Sequence, residues 1–435
     1  MMSKPDVLAD FIKGLPAKLA PGEFLELVLA GDVIDFLAIE LDGRTDPWTA
    51  NPDHACAKLL SALERDRSVY EALADHLAQG HGLTILVGNH DVELALPIVQ
   101  RELCKALRCR PGAVHFVDDG RAWRYGEVLV EHGNRYDPAN ENDWDSLREI
   151  ASCQSRGEQT MSRLRPSEGS KIVHRVVQEH KNVFEFIDTL QPQGAIVAYL
   201  MAALDPSLLD RLPALARVMY GRWLSTRNAA GLPPKRRAAR GVGDDDVDIE
   251  NLALEALLGE VPKATRGPLL DVLRESLKPT DKSLLHMIVN RIEIPDDRLA
   301  KIQKVLVHML KDDRSLDPQG PADQFGKAAA RLRDATGARV VVMGHTHQAR
   351  HIGPPDMAEY INTGTWADLV TVPEAALKPD SAGLAALQTW IVDLALDTNL
   401  RTVVPTWAEI RVDAEGRLLS AHLEPRPEPL ATPQT

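Results

Sequence analysis

The chain reads as an α/β protein interrupted by a large helical segment, and three observations predict this. Residues 1–138 alternate short apolar runs with stretches of helical periodicity, residues 139–320 carry helical periodicity alone, and residues 321–424 return to the alternation. At 435 residues the chain exceeds one typical core, so an insertion or a second domain is expected. The expected division is a core in two parts, 1–138 and 321–424, a helical insertion over 139–320, and a Pro-rich, disordered tail at 425–435.

Each element follows from its pattern. Val7, Leu8, Phe11, Ile12 and Leu15 recur at helical spacing and predict a helix over 6–18. The apolar run 27–30 predicts a strand, and a polar, Pro-containing loop follows from Asp35 to Asp53. Leu59, Leu60, Leu63, Tyr70, Leu73 and Leu77 lie on one side of a helix expected over 54–79, closed by Gln79-Gly80. Runs at 84–87, 114–117, 121–125 and 128–131 predict strands, the last three separated by the turns Asp118-Asp119-Gly120 and Gly126-Glu127.

In the insertion, helices are expected over 171–190, 249–258, 282–292 and 297–311. Ile172, Val173, Val176, Val177, Val183, Phe184, Ile187 and Leu190 form one apolar stripe of the first. A stretch of about 180 residues is too long for a loop and must fold as its own subdomain. It leaves and re-enters beside the motifs described below, so it is expected to cap them and to set substrate choice. Beyond it come a helix over 321–336, a strand over 339–343, a strand and polar turn over 360–366, a helix over 381–396, and a hairpin of 406–412 with 417–423.

Four of the strands end in residues that bind metals. They deliver Gly31-Asp32-Val33-Ile34-Asp35, Gly88-Asn89-His90-Asp91, His132-Gly133 and Gly344-His345-Thr346-His347. Strand ends of this kind bring side chains to one edge of a sheet, where open α/β proteins bind ligands. Carboxylate, amide oxygen and imidazole together suit a pair of divalent metals. Imidazoles favour Mn, Fe, Zn, Ni or Co over Mg or Ca. Asp32 is placed to bridge two metals, and Asn89 adds a neutral oxygen. His90 titrates near neutrality and is suited to stabilise phosphoryl oxygens and protonate a leaving group, with Asp91 expected to orient it. His345 and His347, at alternate positions of an extended segment, would point to the same side. Asp35 reads equally as a residue behind the metal ligands or as a helix N-cap. Arg135 is a candidate for substrate phosphate, a surface role being the alternative.

The ordered set resembles the calcineurin-like metallophosphoesterase family over about half of the chain. The resemblance implies an αββα sandwich of two mixed sheets and hydrolysis of a phosphomonoester or phosphodiester by a metal-bridged hydroxide. It implies two divalent ions, Mn²⁺ first among them. Carried over, Asp32 resembles the bridging ligand, Asn89, His132 and His345 resemble ligands of one metal, His347 resembles a ligand of the other, and His90 matches the catalytic histidine. The family's first motif, Asp-x-His, occurs nowhere before Asp32. The expectation is a start upstream of Met1. The alternative is a variant with one impaired metal site, because only Asp32 and His347 would serve the second ion. A non-catalytic binding scaffold is the competing class of function.

Within the family the substrate is less legible. Protein phosphatases carry Arg-Gly where this chain has Phe36-Leu37, and Glu where it has Asp91. The pyrophosphatases that cleave UDP-linked lipid A precursors carry Arg where His90 stands. The nucleases share Gly-Asn-His-Asp, but a net charge of −13 gives no support to a nucleic-acid surface. A small-molecule or nucleotide-like substrate is expected. Hydrophobic content of 44% and charged content of 26% suit a globular protein. Cys56, Cys104, Cys109 and Cys153 form no Cys-x-x-Cys pair, and no apolar run reaches a membrane span. A soluble, cytoplasmic protein with reduced thiols is expected. The basic run at 235–240 and the acidic Asp244-Asp245-Asp246 read as a solvated loop.

Overall fold

The structure, a computed structural model, describes residues 4–41, 49–137, 140–158, 167, 189–191, 195–204, 283–310, 317–319, 323–396 and 400–425. The expected helices over 171–190 and 249–258, the basic run, the acidic triplet and the tail lie outside these residues, Thr189, Leu190 and Pro425 apart. The chain divides into two compact units, one of residues 1–171, 317–368 and 403–435, the other of residues 172–316 and 369–402.

The first unit holds all four motifs. Its first sheet has three parallel strands, β1 (Glu26–Leu29), β2 (Gly82–Leu86) and β3 (Val114–Val117), in the order β1-β2-β3. Parallel neighbours require crossovers. Helices α2 (Pro52–Arg65) and α3 (Arg67–Ala78) make the first, and α4 (Pro97–Ala106) makes the second. Ahead of them, α1 (Pro5–Gly14) passes into a tight 3₁₀ turn at Leu15–Lys18, so the expected helix is shorter. Pro16 in that turn cannot supply the N–H that an α-helix needs. The helix expected over 54–79 is two helices, broken at Asp66, whose backbone (φ −108°, ψ 34°) leaves the helical region. Asn51 caps α2 by accepting from the N–H groups of Asp53 and His54, with Pro52 opening the helix. Gly80, at φ +87°, closes α3 as expected.

Alternation along β2 sorts its two faces. Leu83, Ile85 and Val87 point to the helices, where Leu59 and Leu73 meet them, and Leu86 points the other way. Each of these fully buried aliphatic side chains contributes about 1.5–3 kcal/mol of transfer free energy. Helix α5 (Trp144–Ser155) adds Leu147 and Ile150 to the same helical layer, within the first unit. Strand β1 is only half-buried and, among the described residues, pairs with β2 alone.

The second sheet is mixed. It comprises β4 (Trp123–Tyr125), β5 (Val128–Val130), β6 (Val340–Met343), β7 (Ala349–Ile352) and β8 (Tyr360–Thr363), in the order β4-β5-β6-β8-β7. Strands β5, β6 and β8 run parallel, and the two outer strands run antiparallel to their neighbours. Val128, Val130, Val340, Val342 and Ile361 meet Leu86 and Val117 of the first sheet. Leu129, Val341, Met343 and Tyr360 meet Phe325 and Ala329 of α6 (Gln324–Thr336) on the opposite face. The hairpin of β9 (Trp407–Val412) and β10 (Leu418–Glu424) contributes Leu418, Ala421 and Leu423 to the core between the sheets. Of the two sheets, then, the five-stranded one is mixed and the three-stranded one is parallel throughout.

The second unit is mainly helical among its described residues. Ala195–Leu204, Leu284–Val289, Asp296–Leu310 and Ser381–Leu396 surround a core that includes Leu200, Leu299, Leu306, Leu387 and Trp390. A short parallel pair, Leu190–Gln191 with Val370–Thr371, contributes Leu190 and Val370 to that core. No helix among the described residues is long and apolar enough to cross a membrane.

Candidate metal centre

The four motifs follow β1, β2, β5 and β6, the parallel strands whose C-terminal ends meet at one edge. Two glycines permit the close approach. A Cβ on Gly31 would lie 2.5 Å from His132 Nδ1, and a Cβ on Gly88 would lie 2.1 Å from Asp32 Oδ1. No larger residue fits either place without moving a site side chain. Gly31 also adopts φ +93°, which side-chain-bearing residues rarely tolerate.

His132 shows most directly what the site could hold. Its Nδ1 lies 2.7 Å from the Ala30 carbonyl and donates to it, which leaves Nε2 with its lone pair outward. Facing that Nε2 are Asp32 Oδ2 at 3.0 Å and Asn89 Oδ1 at 3.2 Å. Both oxygens are acceptors. Three lone pairs therefore point at one another, an arrangement that only a cation, or a second proton on the ring, reconciles. His345 completes the group: ligating atoms of Asp32, His132 and His345 lie within 4.8 Å of one another. Its Nδ1 is buried without a hydrogen-bond partner, while its Nε2 lies 3.4 Å from Asp137 Oδ2. Two imidazoles, a carboxylate and an amide oxygen are the donor set of a divalent transition metal. The residues fit that group.

The backbone is bent to make this possible. Five described residues other than glycine have positive φ, and three are Asp32 (+52°), His345 (+69°) and His347 (+60°). Each such residue costs on the order of 1–3 kcal/mol and persists where the surroundings impose it. The expectation of an extended Gly-His-x-His segment is corrected here, because both histidines are left-handed. His347 is not in the three-residue cluster. Burial pushes its imidazole down to about 4, with Asp32 opposing and His90 and His345 reinforcing the shift.

Charge is concentrated on Asp32. Burial raises its carboxyl, but the imidazoles of His132 and His90 and their hydrogen bonds outweigh burial and hold it well below the usual carboxylate range. Burial opposes the charged form of His132, yet Asp32 pulls that imidazole up overall. Burial lowers His345, against the opposing hydrogen bond that its ring donates to Asp137. Cationic partners thus favour the ionised Asp32 that a metal needs.

His90 lies beside this group, its backbone N–H donating to Asp32 Oδ1 at 2.8 Å. Its Nδ1 faces Asp35 Oδ1 at 3.2 Å. Asp35 is thus the carboxylate that meets His90, in place of the expected Asp91. Asp91 is buried, and its oxygens accept the N–H groups of Gly88 (2.6 Å) and Val33 (2.7 Å). It ties the β1 and β2 loops together, and burial with Asp32 nearby pushes its carboxyl up to about 7. Arg135 is exposed, and its guanidinium donates to the Gly120 carbonyl.

Other supporting residues carry no motif. Asn142 Nδ2 donates to the Gly88 carbonyl at 2.7 Å, and Asn362 Nδ2 donates to the Gly344 carbonyl at 2.6 Å. With Asp137, which meets His345, they brace two of the four motif loops. Asn362 carries the signal of a polar residue within a strand, whereas Asn142 and Asp137 lie in a polar stretch that reads as an ordinary loop. Compared with known proteins, the chain matches no family model, no curated protein and no solved structure.

Proposed function

We propose that the first unit is a divalent-metal-dependent phosphoric ester hydrolase of the calcineurin-like metallophosphoesterase kind, built on that family's αββα sandwich. Its substrate is a phosphomonoester or phosphodiester of a small molecule or nucleotide. The observation that carries this reading is the convergence of Asp32 Oδ2 and Asn89 Oδ1 on His132 Nε2, beside the buried, unpartnered His345 Nδ1. Asp32, Asn89, His132 and His345 would hold one ion, and Asp32 and His347 would contribute to a second, with Mn²⁺ the first choice. Such ions polarise a phosphoryl group and acidify water at neutral pH.

The chain's own residues do the rest. Asp32 and Asn89 would hold the ion that polarises the phosphoryl group. Asp35 holds His90 at Nδ1, which makes Nε2 the nitrogen that protonates the leaving-group oxygen. Asp91 keeps the β1 and β2 loops in register, so that Asp32 and His90 act on one atom pair.

The test is hydrolysis of an aryl phosphodiester and an aryl phosphomonoester with added Mn²⁺, comparing the wild type with His90→Ala. The reading expects metal-dependent turnover that falls by about 10²–10⁴-fold in the variant. No turnover under any metal would refute it. A second reading, a metal-binding scaffold without catalysis, is favoured by the short donor set of the second ion. That reading expects Mn²⁺ binding without turnover.

A further inference from the structure

Residues 133–137 and 140–142 are polar, and together they touch three of the four motif loops. They start at Gly133, directly after His132, and end at Asn142, whose side chain meets the Gly88 carbonyl. Between them, Asp137 sits against the third loop, at His345. The Asp137 N–H donates to the Asn134 carbonyl at 3.0 Å, and Asn140 Nδ2 donates to Asp137 Oδ2 at 2.7 Å. Asn134 Nδ2 donates to the Asn140 carbonyl at 2.9 Å. The Asp137 side chain is thus held in one orientation, and its Oδ2 faces His345 Nε2.

A histidine ring has two nitrogens, and only the one without a proton can bind a metal. A carboxylate accepts a proton but does not donate one when ionised. Asp137 therefore selects the form of His345 with hydrogen on Nε2, and so leaves the lone pair on Nδ1. That is the nitrogen the structure buries without a partner. Nothing else among the described residues contacts either ring nitrogen of His345 by a hydrogen bond.

We infer that Asp137 is a positioning residue for the metal centre, fixing the ring orientation and proton of His345 so that Nδ1 serves as a ligand. This inference rests on the metal reading above. It adds a residue that lies in no motif, and it gives the hydrogen bonds among Asn134, Asp137 and Asn140 a purpose at the metal centre.

The measurement is calorimetric titration with Mn²⁺ alone, on the full chain and on Asp137→Ala and Asp137→Asn. Nitrogen-15 NMR of the metal-free protein would report the proton position on His345. Loss of such a supporting carboxylate typically weakens metal affinity 10–100-fold. Asp137→Ala should show that loss and a mixed proton position at His345. Asp137→Asn, which keeps an acceptor oxygen at nearly the same place, should recover part of both. Circular dichroism confirms that each variant is folded, and if Asp137→Ala is not, Asp137→Asn alone decides by the NMR readout. Wild-type affinity in Asp137→Ala, with the His345 proton unmoved, would overturn the inference while leaving the metal reading intact. No Mn²⁺ binding by the wild type would overturn both.

Discussion

Replacing Gly88 by alanine is a one-carbon perturbation whose effect on the metal centre follows directly from the structure. The new Cβ would lie 2.1 Å from Asp32 Oδ1 and 2.6 Å from the Asp32 backbone nitrogen. Real Cβ atoms stay at least 3.0 Å from such neighbours, so the carboxylate oxygen must retreat by about 0.9 Å, the difference of the two distances. That oxygen accepts the His90 N–H, and its partner oxygen faces His132 Nε2. Metal–ligand distances tolerate about 0.2 Å, and a misplacement near 1 Å can cost on the order of 10²-fold in rate. Overpacking of this kind destabilises by about 1–3 kcal/mol, which a domain can survive. Gly88→Ala is therefore expected to fold, to bind Mn²⁺ at least 10-fold more weakly, and to lose most phosphoesterase turnover. Calorimetry and thermal unfolding on the same sample separate the effects. A folded variant with wild-type Mn²⁺ affinity would show that Asp32 is not where the reasoning needs it.

Three further outcomes are expected. Asp35→Asn should lower kcat, through the loss of the carboxylate at His90 Nδ1, while Mn²⁺ affinity stays within a factor of a few; an equal loss of affinity would assign Asp35 to the metal instead. Glu93 is fully buried, and burial pushes its carboxyl up to about 8, with Lys58 opposing. The folded state therefore binds this proton more tightly than the unfolded state, whose value is near 4.5. The resulting stability is complete below about pH 4.5 and is lost as pH rises through about 8. Glu93→Gln should flatten that fall in a comparison of denaturant midpoints between pH 5 and 8, and an unchanged slope would contradict the burial argument. Finally, Mn²⁺ at 100 times its dissociation constant should stabilise the first unit by about 2.7 kcal/mol, a gain that a chelator abolishes.

Much of the site is legible in the sequence because strand ends are. Asp32, Asn89 and His345 each follow an apolar run and a glycine, His132 directly follows the run 128–131, and parallel strands can only send such residues to one edge. The same logic does not reach Asp137 or Asn142. Their roles come from contacts with the loops that follow β2 and β6, and nothing in the local pattern distinguishes them from solvated loop residues. Asp35 meets His90 in place of the expected Asp91 for a related reason. Adjacency in sequence favoured Asp91, but the sharp turn after Gly88 sends its carboxylate back to the Gly88 and Val33 N–H groups.

The elements divide similarly. The helix over 54–79 carries an unbroken apolar stripe, so periodicity alone gives no sign of the break at Asp66. Helix α4, not among the expected elements, carries a local signal in Pro97 at its first turn, with Val99 and Leu103 at helical spacing. Strand β7, Ala349–Ile352, holds Arg350 and His351 and resembles a surface loop in composition. It exists because β8 offers it an edge with which to pair. Where tertiary pairing supplies the stability, local pattern has little to say.

The most direct test of the metal centre is diffraction from crystals grown with Mn²⁺, measured at the manganese absorption edge. An anomalous peak is expected among Asp32, Asn89, His132 and His345, touching His132 Nε2 and His345 Nδ1. Crystals of the same form with no peak there, or with the ion bound elsewhere, would contradict the metal reading.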